Sequence, residues 1–237
     1  MRVAALWRRM AEGLQALASP RTCAACGGGL GGGEAALCRH CLDKLPRTGF
    51  EAWPQNPMKD RMDGRVELIS ASAAFFFHKD ETLRRLIHSF KYGGCRHVAW
   101  ELGREMGRQA AAAGLNAAYD HIIPVPLHPA RERKRGYNQS LLLARGMAAA
   151  TGLTVCQDIL RRQDASGTQT RLNAEERYVN SKGTFALTAH AQELEGCRLL
   201  LIDDVFTTGA TAEACLVALR EIKGTRLGVA TLGYAAN

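Results

Sequence analysis

Two adjacent carboxylates follow an apolar run in the segment LLLIDDVFTTGAT at 199–211. We predict that Asp203 and Asp204 end a buried strand and that the threonine-rich residues after them turn into a helix. Backbone N–H groups at a helix N-terminus bind anions, and threonine hydroxyls add donors. Two acids would repel phosphate, so they require hydroxyl donors or a divalent cation. The pattern predicts a ribose 5-phosphate site; the alternative is that Asp203 caps the helix and the threonines only satisfy the turn.

Four of the eight cysteines lie close together in the chain. Two residues separate Cys23 from Cys26 and Cys38 from Cys41, and eleven residues lie between the pairs. This spacing is typical of four thiolates around one tetrahedral zinc ion. Two disulfides are the alternative, which fits poorly with a chain in which we find no export signal. We therefore predict a small N-terminal zinc-binding domain.

The formal net charge of +8 and the pI near 9.3 suggest a polyanionic partner, either a nucleic acid or a small phosphorylated molecule. The densest basic cluster is RERKR at 131–135, and a looser one runs from Arg161 to Arg177. Both lie in polar segments, so we predict loops that close on phosphate; a solvated basic face is the alternative.

The elements that must position these residues alternate between strands and helices from Val66 onward. This order predicts an α/β fold, a parallel or mixed sheet with helices on both faces, and a ligand at the carboxyl ends of the strands. Asn138 is the predicted N-cap of one helix. We expect an amphipathic helix over 1–20, the cysteine knuckle and a linker over 21–60, and the α/β domain over 61–237. No apolar run reaches the ~20 residues that span a bilayer, so we expect a cytoplasmic protein, with peripheral attachment to the inner membrane left open.

The segment LLLIDDVFTTGAT resembles the 5-phosphoribosyl 1-pyrophosphate (PRPP) motif of type I phosphoribosyltransferases. The cysteine knuckles, FKYGG, IIPVPLHPARERKRGYNQS and the spaced residues from Gln169 to Phe185 resemble the ComF competence family of the ComFC type, with its GntX-like relatives. The resemblance implies a type I phosphoribosyltransferase fold behind the zinc-binding domain.

The resemblance also implies roles for individual residues. Asp203 and Asp204 would bind the ribose hydroxyls and Mg²⁺. The other implied positions fall into three groups: for the 5-phosphate Thr207, Thr208, Gly209, Ala210 and Thr211; for pyrophosphate Pro126, Leu127, Arg131, Arg133, Lys134 and Arg135; and for a lid over the site Arg171 and Arg177. No general base is identifiable, and we assign none of His78, His121 and His128.

Three functions follow as hypotheses from the site and the resemblance. The first is a magnesium-dependent phosphoribosyltransferase that displaces pyrophosphate from PRPP with a base or amine and is linked to DNA uptake. The second is a competence factor that binds single-stranded DNA or proteins of the competence machinery, with Trp53, Tyr92 and Tyr137 as stacking groups. The third is a non-catalytic PRPP sensor. The acceptor and the oligomeric state cannot be read from the sequence.

Overall fold

The structure, a computed structural model, describes residues 21–78, 81–163 and 184–235. The helix expected over 1–20 and the two lid residues Arg171 and Arg177 lie outside these ranges. The chain divides into two units, Met1–Leu45 and Pro46–Asn237. No helix in the described ranges is both long enough and apolar enough to cross a bilayer.

In its described residues, 21–45, the smaller unit contains the cysteine knuckles and one short helix, α1 (Arg39–Asp43). Thr22 and Gly29 form an antiparallel bridge, and the turn between them passes through Gly27 at a positive φ of 73°. The backbone N–H of Ala24 donates to the carbonyl of Ala36 at 2.9 Å and so ties the two knuckles together.

Among the described residues, the larger unit contains the sheets and the other helices. Its strands are β1 (Ala71–Phe76), β2 (His121–Pro124), β3 (Thr154–Val155), β4 (Leu160–Arg162), β5 (Phe185–Leu187), β6 (Arg198–Phe206) and β7 (Arg226–Tyr234). Its α-helices are α2 (Pro57–Met62), α3 (Glu81–Tyr92), α4 (Arg96–Ala112), α5 (Pro129–Arg135), α6 (Gln139–Thr151) and α7 (Ala210–Leu219), and its 3₁₀ helices are Phe50–Ala52, Leu115–Ala118 and Ala189–Leu194.

Five strands form one sheet in the order β1-β7-β6-β2-β3, and every pairing in it is parallel. Strands β4 and β5 form a separate antiparallel pair. The α/β class with a parallel sheet, as expected from the sequence, is confirmed. Because all five strands run the same way, the loops after β2, β3 and β6 emerge at one edge of the sheet.

Both faces of the sheet are covered, as the residues of β6 show. Leu199 and Leu201 belong to a buried cluster with Cys215 and Leu216 of α7. The alternate residues, such as Leu200, point to the opposite face and are equally buried, where α6 packs against β2 and β6. A strand buried on both faces reads as a continuous apolar run, which is why LLLI precedes the two acids.

The segment expected to be a linker is packed in its second half. The side chain of Asn56 caps α2 by accepting from the N–H groups of Met58 and Lys59 at 3.0 and 3.1 Å. Met58 and Met62 are fully buried in the core of the larger unit. The boundary between the two units falls after Leu45 rather than near residue 60. The sequence did not indicate this because a helix of six residues is too short to show apolar periodicity.

The basic segment expected to be a loop is largely a helix, which corrects the prediction. Arg131, Arg133, Lys134 and Arg135 lie on α5, which begins after His128 and ends at Gly136 with a positive φ of 79°. Arg161 and Arg162 likewise lie in strand β4. Charged side chains mask the short helix in the sequence, since α5 buries no residue.

Helices α4 and α6 cross at very short distance because glycines meet at the crossing. A Cβ added at Gly103 would collide with the backbone of Leu143, and one added at Gly146 would collide with the carbonyl oxygen of Trp100. Neither glycine has a positive φ. Small size, not backbone freedom, is the reason for glycine at both positions.

We predict that Gly146→Ala lowers the free energy of unfolding by about 1–3 kcal/mol, because the new methyl group forces the two helices apart. Urea denaturation measures the change. Ala149→Ser, an exposed position on the same helix, is the matched control and should stay within about 0.5 kcal/mol of the native protein. Equal stability of the native protein and Gly146→Ala would contradict the close crossing.

Candidate functional site

The acid pair lies in the last part of β6 and not at its end. The strand continues to Phe206, and Asp203 pairs with Thr231 of β7. Asp203 is partly buried and Asp204 is 7% exposed. Two adjacent carboxylates thus occupy the carboxyl-terminal edge of a buried parallel strand, where each needs a polar partner.

Asp203 receives its partner from the first turn of α6. The buried hydroxyl of Ser140 donates to Asp203 Oδ1 at 3.1 Å, and the backbone N–H of Asp204 donates to the same oxygen at 2.8 Å. Asn138, the N-cap, places Ser140: its Oδ1 accepts from the Ser140 N–H at 2.9 Å and its amide donates to the carbonyl of Val125 at 3.0 Å. The prediction of Asn138 as N-cap is confirmed.

Asp204 receives its partner from the last turn of α3. The Nζ atom of Lys91 lies 2.8 Å from Asp204 Oδ2, and both side chains are largely buried. Burial and the charge of Asp204 raise the pKa of Asp203 to about 7, while the Asp204 N–H, Ser140 and Lys91 act in the opposite direction. Near neutral pH the Asp203 carboxyl is therefore poised between its neutral and ionised forms.

The turn after β6 has the geometry of an anion-binding helix start. Gly209, at a φ of 83°, is the N-cap of α7 and has no side chain with which to cap it. The hydroxyl of Thr208 accepts from the N–H of Ala210 at 3.4 Å. Asp203 does not cap α7, since its carboxylate contacts Ser140 and the Asp204 N–H. The capping alternative for Asp203 is therefore wrong.

Asp203 and most of the turn line one small cavity. Asp203, Thr207, Gly209, Ala210, Thr211 and Thr231 are among the residues that line it. Its volume of about 20 Å³ is the space of one water molecule. The structure thus brings Asp203, one of the two acids assigned to ribose, next to four of the five residues assigned to the 5-phosphate.

The residues assigned to pyrophosphate lie after β2, the neighbour of β6. Pro126 and Leu127 are partly buried, whereas Arg131, Arg133 and Lys134 are exposed on α5. The guanidinium of Arg135 contacts Gln139 Oε1 and lies 5.6 Å from the ring centroid of Tyr92.

A larger cavity of about 400 Å³ lies between the loops after β2 and β3. Its walls combine apolar residues with polar and charged ones: Pro124, Pro126, Leu127, Pro129, Glu132, Asn138, Leu141, Gln157, Asp158, Leu160, Arg161 and Arg162. Since β2 is the neighbour of β6, this cavity opens at the same edge of the sheet as the acid pair.

The three histidines left unassigned in the sequence each make a contact of their own. His78 Nε2 lies 2.9 Å from the carbonyl oxygen of Ala235, His121 Nδ1 lies 3.6 Å from the Sγ atom of Cys156, and His128 caps α5. Trp53 and Tyr92 are exposed, as stacking groups must be. Tyr137 is buried and its hydroxyl donates to the carbonyl of Phe90, so its suggested stacking role is wrong.

Sequence reasoning missed Ser140 and Lys91. Both lie in segments that carried the family resemblance, NQS and FKYGG, but nothing in their spacing pairs them with the two acids. In the sequence, Ser140 is only a polar residue in the first turn of one predicted helix, and Lys91 is only a lysine in the last turn of another.

In the smaller unit, the four predicted cysteines lie together. One sulfur from each of Cys23, Cys26, Cys38 and Cys41 lies within 4.8 Å of the others, and the Cys26 and Cys38 sulfurs are 3.9 Å apart. Tetrahedral coordination by thiolates places sulfurs ~3.8 Å apart. The four cysteines can therefore hold one metal ion such as zinc.

Backbone groups around Cys23 stabilise negative charge at one corner of this cluster. The N–H of Cys38 donates to the Cys23 sulfur at 3.3 Å. Burial raises the pKa of the Cys23 thiol, but N–H donors from Cys38, Cys26 and Ala25 outweigh it and lower the pKa to about 7. A thiolate, the form that binds metal, is thus stabilised in the buried corner of the cluster.

No protein-family model matches the chain. The chain is similar to Competence protein F of Haemophilus influenzae, at 33% identity over 152 residues that cover 61% of this chain and 65% of that protein. It is similar to DNA utilization protein YhgH of Escherichia coli K12, at 34% over 143 residues (58% and 61%), and to Competence protein ComFC of Bacillus subtilis, at 33% over 104 residues (40% and 38%). These matches span less than two thirds of each relative, and they confirm the resemblance to competence proteins.

Among solved structures, the chain is similar to glutamine phosphoribosylpyrophosphate amidotransferase from B. subtilis complexed with ADP and GMP. The TM-score is 0.43 at 20% identity, and the match covers 61% of this chain and 30% of that one. An adenine phosphoribosyltransferase matches with a TM-score of 0.37 at 13% identity, covering 63% of this chain and 84% of that one.

We predict that Asp203→Asn stabilises the ligand-free protein above neutral pH. The pKa of Asp203 in the folded protein, about 7, exceeds the usual value of 3.8. The free energy of unfolding of the native protein therefore falls as the pH rises from about 4 to about 7. At about pH 8 the variant should gain on the order of 1 kcal/mol in free energy of unfolding, and near pH 4 the difference should vanish. Urea denaturation at several pH values measures it.

Asp120→Asn is the control of opposite sign. Hydrogen bonds from Arg198 lower the pKa of Asp120 to about 2, so this carboxylate stabilises the fold above pH ~4 and loses that effect as pH falls through the folded value. Its replacement should destabilise the protein at neutral pH. A destabilised Asp203→Asn at about pH 8 would contradict the assigned environment.

We predict that metal removal loosens the smaller unit, whose sulfur cluster joins its two halves. The purified protein should contain one metal ion per chain by elemental analysis, and Cys26→Ser should lose it because three thiolates and a hydroxyl bind zinc more weakly. Cys95→Ser, an exposed cysteine of the larger unit, is the control and should retain the ion. Full metal content in Cys26→Ser would contradict the site.

Proposed function

We propose that the larger unit binds PRPP and transfers its phosphoribosyl group to a base or an amine. The observation that carries this proposal is the arrangement of Asp203 and Asp204, held by Ser140 and Lys91, beside the hydroxyl-rich turn at the start of α7. Carboxylates accept the hydrogen bonds of a ribose diol, and the N–H groups of the turn, with the helix dipole, bind the 5-phosphate. Thr207, Thr208, Gly209, Ala210 and Thr211 are the proposed phosphate residues.

The leaving pyrophosphate requires positive charge at the same edge of the sheet. Pro126 and Leu127 start the loop that leads to α5, where Arg131, Arg133, Lys134 and Arg135 supply that charge. Arginine binds phosphate oxygens bidentately, so these residues would stabilise the charge that grows on the leaving group. Arg171 and Arg177 are proposed to close over the site. Mg²⁺ bound with PRPP would neutralise part of the pyrophosphate charge, and the carboxylates at Asp203 and Asp204 are donors that suit it.

Lys91 holds Asp204 in the free protein, and we assign it a part in ligand binding. A ribose hydroxyl that donates to Asp204 competes with the lysine ammonium, which then becomes available to the anionic ligand. The acceptor would lie in the 400 Å³ cavity next to α5, where Gln157, Asp158 and Arg161 offer both donors and acceptors. A cavity of this size admits a single heteroaromatic base.

We further propose a link to DNA uptake and a structural zinc ion in the smaller unit. The first is supported by the similarity to proteins named for competence and DNA utilization. The second is supported by the spacing of the four sulfur atoms.

Thermal unfolding with PRPP and Mg²⁺ tests the binding proposal. Ligand at ~100 times its dissociation constant should stabilise the native protein by about 2.7 kcal/mol, a shift of several degrees. The double variant Asp203→Asn, Asp204→Asn should show no shift relative to its own ligand-free midpoint, and Glu221→Gln, an exposed acid, should shift like the native protein. Equal shifts in the native protein and the double variant would refute the assigned site.

Pyrophosphate release then separates an enzyme from a sensor. With a panel of bases and amines, a transferase releases pyrophosphate in the presence of at least one acceptor. Binding of PRPP without release under every acceptor would support the non-catalytic alternative.

A second candidate function, binding of single-stranded DNA, is favoured by the surface around Tyr92. This ring is 72% exposed, lies 4.8 Å from the ring of His88 and lies beside the guanidinium of Arg135. Aromatic rings flanked by cations stack on bases. Tyr92→Ala should weaken binding of labelled single-stranded DNA, whereas Trp53→Ala is the comparison at the other exposed ring. Affinity that does not depend on salt would rule out phosphate contacts.

A further inference from the structure

The proposed phosphate turn contains no cation of its own. Residues 207–211 offer only hydroxyl and backbone groups. The basic residues of α5 follow the neighbouring strand, β2, and not β6. We infer that Arg65, in the turn after α2, is the positioning residue for the phosphate end of this site. The inference rests on the proposed function and adds a residue that lies outside the turn itself.

One guanidinium nitrogen of Arg65 contacts both the turn and the helix behind it. Arg65 Nη1 donates to the carbonyl oxygen of Thr208 at 3.3 Å and to Oε2 of Glu213, in the first turn of α7, at 3.2 Å. The Glu213 carboxylate is mostly buried, and the Arg65 side chain is 40% exposed. Arg65 therefore fixes the turn relative to the helix whose N-terminus would face the phosphate.

The contact with Thr208 also sets the direction of the next N–H group. In a trans peptide the carbonyl oxygen and the following N–H point to opposite sides, and no described peptide bond here is cis. By binding the carbonyl of Thr208, Arg65 directs the N–H of Gly209 away from itself. The carbonyl oxygen of Thr208 would repel a phosphate. Arg65 binds this oxygen and so directs the carbonyl dipole toward its own positive charge.

Arg65 is itself held in place by the packing of α2. Its backbone N–H donates to the carbonyl of Met62 at 3.0 Å, and Met62 is fully buried. The Met62 sulfur would lie 3.3 Å from a Cβ at Gly209, so the end of α2 packs directly against the turn before α7. Met62 at the end of α2 and Arg65 in the turn after it thus support the turn before α7 with an apolar contact and a cation.

Titration calorimetry with ribose 5-phosphate tests the inference on four proteins. Arg65→Ala should bind about tenfold more weakly than the native protein, because a charge-assisted bond to the turn is lost. Arg65→Lys should lie between the two, since an ammonium keeps the charge but not the planar donor geometry. Arg220→Ala, an exposed arginine just after α7, is the matched control and should bind like the native protein.

A second ligand separates positioning from a general folding defect. Pyrophosphate with Mg²⁺ is expected to bind through α5, so Arg65→Ala should leave its affinity unchanged. Equal affinity of Arg65→Ala and the native protein for ribose 5-phosphate overturns the inference, as does an equal loss for both ligands. If the native protein binds neither ligand, the proposed function fails and the inference fails with it.

Discussion

The burial of two adjacent carboxylates at the edge of a parallel sheet is the constraint on which the larger unit depends. Desolvation and mutual repulsion destabilise Asp203 and Asp204 in the free protein, and each is balanced by a group from a different helix. The start of α6 must supply Ser140 and the end of α3 must supply Lys91.

The packing of the helices fixes the positions of the groups that make these contacts. Glycines at the crossing of α4 and α6 let the two helices approach until backbone touches backbone, so α6 has little freedom to slide and Ser140 stays under Asp203. Asn138 fixes the start of α6 to the carbonyl that follows β2. On the other side of β6, α2 packs below the turn that begins α7. The acids and the turn are thus held by elements buried on both faces of the sheet.

The smaller unit follows a different physical logic. Its described residues, 21–45, include few large buried side chains, such as Leu37 and Leu42, and one helix of five residues. So few buried side chains give this part of the chain little apolar area to stabilise it, and the four cysteine sulfurs lie close enough together to hold one metal ion. The chain therefore combines one unit organised around a hydrophobic core with one in which four cysteine sulfurs lie together.

The sequence by itself determined the features whose signal is local. An apolar run ending in two acids, a threonine turn, paired cysteines and an asparagine before a helix predicted the β6 site, the cluster and the cap of α6, because each depends on neighbours along the chain. Tertiary structure alone decided which groups partner the acids, since Ser140 and Asp203 are 63 residues apart. It also decided that the basic run forms α5, that Tyr137 is buried, and that α2 packs against the turn that begins α7. Short helices have too few turns for periodicity, and contacts between distant elements exist only once the sheet has brought them together.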